Sequence, residues 1–172
     1  MNYLMDNIES ERLVFRKLVP DDFSLWLPFH EDKRTSQHWE GIPTNPVDAC
    51  KVDFDRTFYR YKNNLGGKLA LLKKDTKEFI GLCGLLIQEI DGKQELEIAY
   101  SLLPKYWKKG FATEAAIQCK IYTTEYKLSS SLISIISITN IPSQKVALQN
   151  KMVIDYKTSY NNNPVYIYRV QF

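Results

Sequence analysis

The most chemically suggestive stretch is Lys108-Lys109-Gly110-Phe111-Ala112-Thr113, which opens a segment of helical periodicity. A helix start presents unpaired N–H groups and a partial positive charge, and both attract an anion such as phosphate. Gly110 lets an oxygen approach the backbone, Ala112 keeps the first turn small, and the two lysines add charge. Each charge-assisted hydrogen bond contributes about 1.5–3 kcal/mol when shielded from water. Taken alone, Lys-Gly-x-Ala is better explained as an ordinary helix start with solvated lysines. A second glycine-lysine pair, Gly67-Lys68, fails as a Walker phosphate loop: position 62 is lysine where that pattern needs glycine, and Leu69 stands where it needs serine or threonine.

An anion site needs a scaffold, and the surrounding periodicities predict one. Residues 13–18 suit a short strand stopped by Pro20, and Asp21 and Asp22 then offer caps for a short helix through Phe29. Residues 30–44 have no period. Asn45-Pro46 reads as a helix cap and first turn. Val47, Cys50, Phe54, Phe58, Tyr61 and Leu65 follow at three- and four-residue steps, a helical stripe expected to stop at Gly66-Gly67. Residues 68–73, 78–89 and 94–103 predict an antiparallel meander, with Asp91-Gly92 as the tight turn between the last two strands. Gly81 and Gly84 mark a bulge or a close backbone approach.

The period changes at Gly110. Ala112, Ala115, Ala116, Cys119, Tyr122, Thr123 and Tyr126 share one helical face, predicting a helix over 110–127. Residues 132–139 form an Ile-rich buried strand, and Asn140 with Pro142 starts a short helix to about Lys151. Strands near 153–158 and over 165–172 complete the sheet. Residues 94–139 thus read as strand, helix, strand, with a crossover of the length that parallel neighbours require. Ligands of such units bind outside the carboxyl ends of the strands. The loops 104–109 and 140–143 are therefore expected to share one rim.

Composition narrows the function classes. The 172 residues correspond to about one domain, expected to cover 1–172, with no internal repeat or low-complexity linker. An apolar share of 44% and a charged share of 25% exclude disorder and collagen-like fibres. Lysine and arginine number 23 against 20 acidic residues, a formal +3, too even to argue for a nucleic-acid partner. No apolar run approaches the roughly 20 residues of a membrane span, and residues 1–11 lack the layout of a signal peptide. A cytoplasmic protein with no membrane partner is expected, acting as a monomer or homodimer. Cys50, Cys83 and Cys119 are odd in number, widely spaced and far from His30 and His38, so buried reduced thiols are expected and no metal site.

The stretch Glu97-Ile-Ala-Tyr-Ser-Leu-Leu-Pro-Lys-Tyr-Trp-Lys-Lys-Gly-Phe-Ala-Thr-Glu-Ala-Ala116 resembles the acetyl-CoA signature of the GNAT N-acetyltransferases, most of all the RimJ/RimL-like branch, which acetylates protein N-termini. Asn140-x-x-Ser143-x-x-Val146-Ala147 matches that family's Asn-x-x-Ser segment, and Glu11-Arg12-Leu13-Val14-Phe15-Arg16 matches its opening. The resemblance implies an α+β fold: a mixed, mostly antiparallel sheet of about seven strands flanked by about four helices, with one parallel strand-helix-strand unit. It implies acetyl-CoA as co-substrate. The pyrophosphate would be bound by backbone N–H groups of the loop Trp107, Lys108, Lys109, Gly110, Phe111, Ala112 and Thr113. The pantetheine arm would lie along Ser101, Leu102 and Leu103, in a cleft between the two parallel strands. Trp107 replaces the family's Gln or Arg, as is common in this branch. Lys108 stands where a second glycine is frequent, and its side chain would either crowd the phosphate or add charge. The family's Lys-Leu-Gly-Phe ending of the last helix is here Gln149-Asn150-Lys151-Met152.

The implied reaction is attack of a neutral amine on the thioester carbonyl. An α-amine of pKa about 7.7–8.0 is roughly a tenth neutral at pH 7, whereas a lysine amine near about 10.4 is neutral about once in 2,500. Positioning, worth roughly 7–11 kcal/mol, and backbone donors to the oxyanion carry most of such catalysis. Glu97, on the strand leading into the loop, is the candidate base, directly or through a water; the alternative is a solvent-facing strand carboxylate. Ser143 resembles the family residue proposed to protonate the thiolate, and a helix-start serine satisfying backbone donors fits as well. Asn140 either meets the pantetheine or caps the last helix. Tyr100 lines the cleft or packs in the sheet, and Glu114 sits favourably with the helix dipole.

On the acceptor side only His38, Trp39 and Glu40 stand out, in the segment that shapes the acceptor pocket in relatives. A peptide N-terminus and a small-molecule amine both remain open as acceptors. From a different class, the chain would be a non-catalytic acyl-CoA-binding module, with the changed 149–152 segment marking a lost acceptor site.

Overall fold

The computed structural model describes residues 1–172. All seven strands join one sheet: β1 (Leu13–Arg16), β2 (Gly66–Lys73), β3 (Phe79–Ile90), β4 (Lys93–Leu102), β5 (Ser131–Ser137), β6 (Val153–Tyr160) and β7 (Asn163–Gln171). Their order is β1-β2-β3-β4-β5-β7-β6. Every neighbouring pair is antiparallel except β4 and β5. Four helices complete the fold: α1 (Phe23–Glu31), α2 (Pro46–Lys62), α3 (Phe111–Glu125) and α4 (Ile141–Gln149). No helix is long and apolar enough to cross a membrane.

Local chemistry accounts for most element ends. Asn45 Oδ1 accepts from the N–H groups of Val47 and Asp48 at 2.9 and 3.1 Å, and Pro46 occupies the first turn of α2. Asp91 and Gly92 adopt φ of 49° and 75°, as a tight hairpin between β3 and β4 requires. The register of β2 on β3 shifts beside Gly81, the expected bulge, and a Cβ on Gly84 would strike the Gly67 carbonyl.

Two expectations are corrected. The stripe helix does not run to Gly66-Gly67: α2 stops at Lys62, and Asn64 takes the left-handed turn at φ 54°. Both glycines belong to β2, where a Cβ on Gly66 would collide with the Leu85 carbonyl. Asp22 does not cap α1 either; its carboxylate takes two 2.7 Å bonds from Arg16 and one from the Val19 N–H. The carboxylate serves the ion pair and at the same time closes the Val19 turn that leads into α1.

The sheet separates two packed faces. Alternation along β4 turns Leu96, Ile98, Tyr100 and Leu102 toward α3 and α4, where most of the large core lies. It turns Glu95 and Glu97 toward α2 and toward a smaller cluster built on Ile133, Ile135 and Val165.

Candidate functional site

The parallel pair β4 and β5 is in register at one place only, Glu97 opposite Ile133, and the strands part beyond it. Within the parting, Ser134 Oγ donates to the Ile98 carbonyl at 3.0 Å. The side chain of Glu97 therefore sits where the gap opens. It is buried and accepts a 2.7 Å bond from Gln88 Nε2. Burial pushes its carboxyl up to about 7, against the opposing pull of Gln88, Arg60, Lys68 and the Ile135 N–H. A carboxylate of that affinity is matched to taking a proton near neutral pH.

Beyond β4 the chain turns into α3 through two left-handed residues, Lys108 at φ 60° and Gly110 at φ 80°. No side chain caps this helix start. The N–H groups of residues 108–113 donate to no acceptor in the protein. Six consecutive amides are thus free to donate, with left-handed residues among them of the kind found in backbone anion nests. Trp107 steadies the approach, its Nε1 donating to the Leu102 carbonyl at 2.8 Å.

The N-terminal segment braces this loop from the other side. Glu114 accepts from Ser10 Oγ at 2.6 Å and from the Arg12 N–H and Nε, each at 2.7 Å. Arg12 Nη1 also donates to the Lys109 carbonyl at 3.0 Å, and its guanidinium lies 4.2 Å from the Phe111 ring centre. Burial would raise the Glu114 carboxyl, but the bonds from Ser10 and Arg12 outweigh it and hold it below its ordinary value. Beyond favouring the helix dipole, Glu114 is thus a tie between chain segments. Arg12 carried no assigned role in the sequence, since nothing local says that it reaches a loop 97 residues away.

Tyr100 and Ser143 meet on the α3–α4 face. The Tyr100 hydroxyl donates to the Ser143 carbonyl at 2.9 Å and lies 2.9 Å from Ser143 Oγ. Burial raises the phenol above its usual range. Asn140 caps α4, accepting from the Ser143 N–H at 3.1 Å. Past α4, Lys151 adopts φ 64° and Met152 is buried, so the left-handed turn forms on a lysine.

On the α2 face, beside Glu97, lies a cavity of about 410 Å³. Trp39, Arg56, Arg60, Lys68 and Tyr160 line it. Lys68 Nζ is paired with Asp53 at 2.9 Å, and Asp53 also accepts from Trp26 Nε1 at 2.8 Å. Trp39 packs against the smaller core cluster, and His38 Nδ1 sits 2.9 Å from Thr139 Oγ1. The irregular 30–44 segment is thereby fastened beside the end of β5, with Glu40 held through Asn163. The cationic lining from α2 was missed in the sequence, where Arg56 and Arg60 were not singled out.

The chain matches the family described as acetyltransferase (GNAT) domain over residues 12–153. N-acetyltransferase p20 of Bacillus licheniformis, itself uncharacterised, is 27% identical over 112 residues, which is 64% of this chain and 62% of the relative. The matches span 55% to 62% of the length of the curated relatives. An acetyltransferase from Agrobacterium tumefaciens str. C58 superposes with a TM-score of 0.80 at 22% identity, covering 96% of this chain and 94% of that one. RimL, a ribosomal L7/L12 alpha-N-protein acetyltransferase solved in complex with coenzyme A, superposes at 0.75 with 13% identity, covering 96% and 97%. At these identities the two structures speak for the fold alone.

Proposed function

The chain belongs to the GNAT acetyltransferase family, and on that footing we propose that it is a cytoplasmic N-acetyltransferase of the RimJ/RimL-like kind. It moves an acetyl group from acetyl-CoA to a primary amine by direct attack. The observation that carries this reading is the run of free amides over residues 108–113 at the mouth of the parted strands. Such a cradle suits a diphosphate, and Ser101, Leu102 and Leu103 at the end of β4 lie in the chain between it and Glu97, where a pantetheine arm would run.

Glu97 and the Tyr100–Ser143 pair lie on opposite faces of β4, one on each side of the gap. Glu97 takes the proton of the incoming amine, with its affinity already near neutral. The Tyr100–Ser143 pair returns a proton to the departing sulfur. A thiol of pKa about 8.5 needs little such help, so this second role is the smaller one. Acceptors on the Glu97 face enter through the 410 Å³ cavity. The alternative of a non-catalytic acyl-CoA module leaves a buried carboxylate and an adjoining cavity without a use, and the 149–152 turn on which it rested is formed.

Calorimetry with acetyl-CoA, followed by thiol release over a panel of amines, tests the reading. Binding followed by release on at least one amine is expected. Absence of acetyl-CoA binding overturns the reading, and binding without release on any amine favours the module.

A further inference from the structure

The cavity beside Glu97 carries more positive charge than its own carboxylates answer. Three basic residues, Arg56, Arg60 and Lys68, line it against two acidic ones, Asp53 and Glu97. Lys68 and Asp53 satisfy each other at 2.9 Å. Arg60 is fixed in place by the carbonyls of Leu65 and Ile87 and by Gln88 Oε1, at 3.3, 2.8 and 3.0 Å. Those partners are neutral, so its charge stays unanswered apart from Glu97. Arg56, one turn earlier on α2 and exposed at the cavity rim, makes no hydrogen bond and no ion pair. When Glu97 takes a proton from the acceptor amine, the one carboxylate left in the lining is Asp53, which Lys68 already pairs.

We propose that the acceptor is a small amine bearing an anionic group, carboxylate or phosphate, a few bonds from its nitrogen, and that Arg56, with Arg60 behind it, binds that group. This rests on the acetyltransferase reading above. Arginine is suited to the task, since its planar fork grips carboxylate or phosphate oxygens in pairs. About 410 Å³ accommodates a molecule of amino-acid size, within the range of ordinary small-ligand pockets. The amine then points at Glu97 and the anion at α2. A polyamine would bring its second positive charge against Arg56 and Arg60.

The test is thiol release from acetyl-CoA with matched acceptors: amino acids against their carboxamides, aminoalkyl phosphates against aminoalcohols, a polyamine, and an acidic peptide with a free N-terminus. The anionic member of each small-molecule pair is expected to exceed its neutral partner at least tenfold in kcat/KM, and the better of the two series identifies the anion. Arg56→Gln should shrink that ratio about tenfold through KM, and Arg56→Lys should restore part of it. Preference for neutral amines, the polyamine or the peptide overturns the proposal, as does an Arg56→Gln loss equal for charged and neutral acceptors. If no amine releases thiol, calorimetry of the same amines on the coenzyme A-bound protein decides. Binding of an anionic amine that Arg56→Gln weakens would keep the subsite and sink the transferase reading; no such binding sinks the subsite.

Discussion

Tyr100 and Ser143, 43 residues apart in the chain, share a 2.9 Å hydroxyl–hydroxyl contact across the gap between β4 and α4. The two hydroxyls form a unit: with the Tyr100 proton given to the Ser143 carbonyl, the Ser143 hydroxyl donates to the Tyr100 oxygen.

Groups acting as a unit respond non-additively to removal. Tyr100→Phe and Ser143→Ala are each expected to lower kcat about tenfold, and the double variant to lower it little further. Steady-state thiol release on all three variants checks this. Fully multiplicative losses would mean that the two hydroxyls serve separate ends.

Glu97 should impose an acid limb on kcat/KM near pH 7, with activity falling as the pH drops and the carboxyl takes up its proton. The groups facing it are Gln88, Arg60, Lys68 and the Ile135 N–H. Glu97→Gln should lower kcat about 100-fold and remove the limb. Stability gives an independent readout. The folded chain holds this proton from the ordinary 4.5 up to about 7, so its contribution is present below that window and fades as the pH rises through it. The loss approaches about 3 kcal/mol. Melting curves at pH 5 and pH 8 should therefore move in favour of the Gln variant at the higher pH. A flat difference would contradict the assignment.

The amide cradle predicts opposite outcomes at its two left-handed residues. Lys108→Gly relieves the cost of φ 60° on a side-chain residue and should stabilise the fold by about 1 kcal/mol, with acetyl-CoA affinity held within a few-fold. Gly110→Ala, at φ 80° with its new Cβ 3.4 Å from Arg12 Nη2, should cost about 1–2 kcal/mol and weaken acetyl-CoA at least tenfold. Thermal melts and calorimetry separate the two. A large affinity loss in Lys108→Gly would place the binding in the lysine side chain instead of the amides.

Arg12 is expected to act through the loop it braces. Arg12→Lys keeps the charge but loses the planar fork that reaches both Glu114 and the Lys109 carbonyl. The dissociation constant of acetyl-CoA should rise about tenfold, roughly 1.4 kcal/mol, with the KM of the amine little altered. Equal loss on both substrates would make Arg12 a general stability residue.

Much of the architecture was legible because its causes are local. The Asp91-Gly92 hairpin, the Asn45 and Asn140 caps and the α3 stripe each depend on residues within a turn or two of one another. Errors arose where a distant partner won. Gly66-Gly67 read as a helix stop, but both are strand glycines, Gly66 crowded by the Leu85 carbonyl and Gly67 by the Tyr61 ring. Asp22 read as a cap of α1, but its carboxylate goes to Arg16 and to the Val19 N–H one turn earlier.

The candidate site divides along the same line. Residues 108–113 declare their free amides through their own order, since a helix start without a capping side chain leaves its donors open wherever it is placed. Which face Glu97 looks toward, how deeply it is buried and hence how firmly it holds a proton follow from the packing of β3, β5 and α2 around it. The meeting of Tyr100 with Ser143, the brace from Arg12 and the unanswered charge of Arg56 likewise belong to the tertiary structure. Backbone conformation is governed by near neighbours along the chain, whereas electrostatic environment is governed by near neighbours in space.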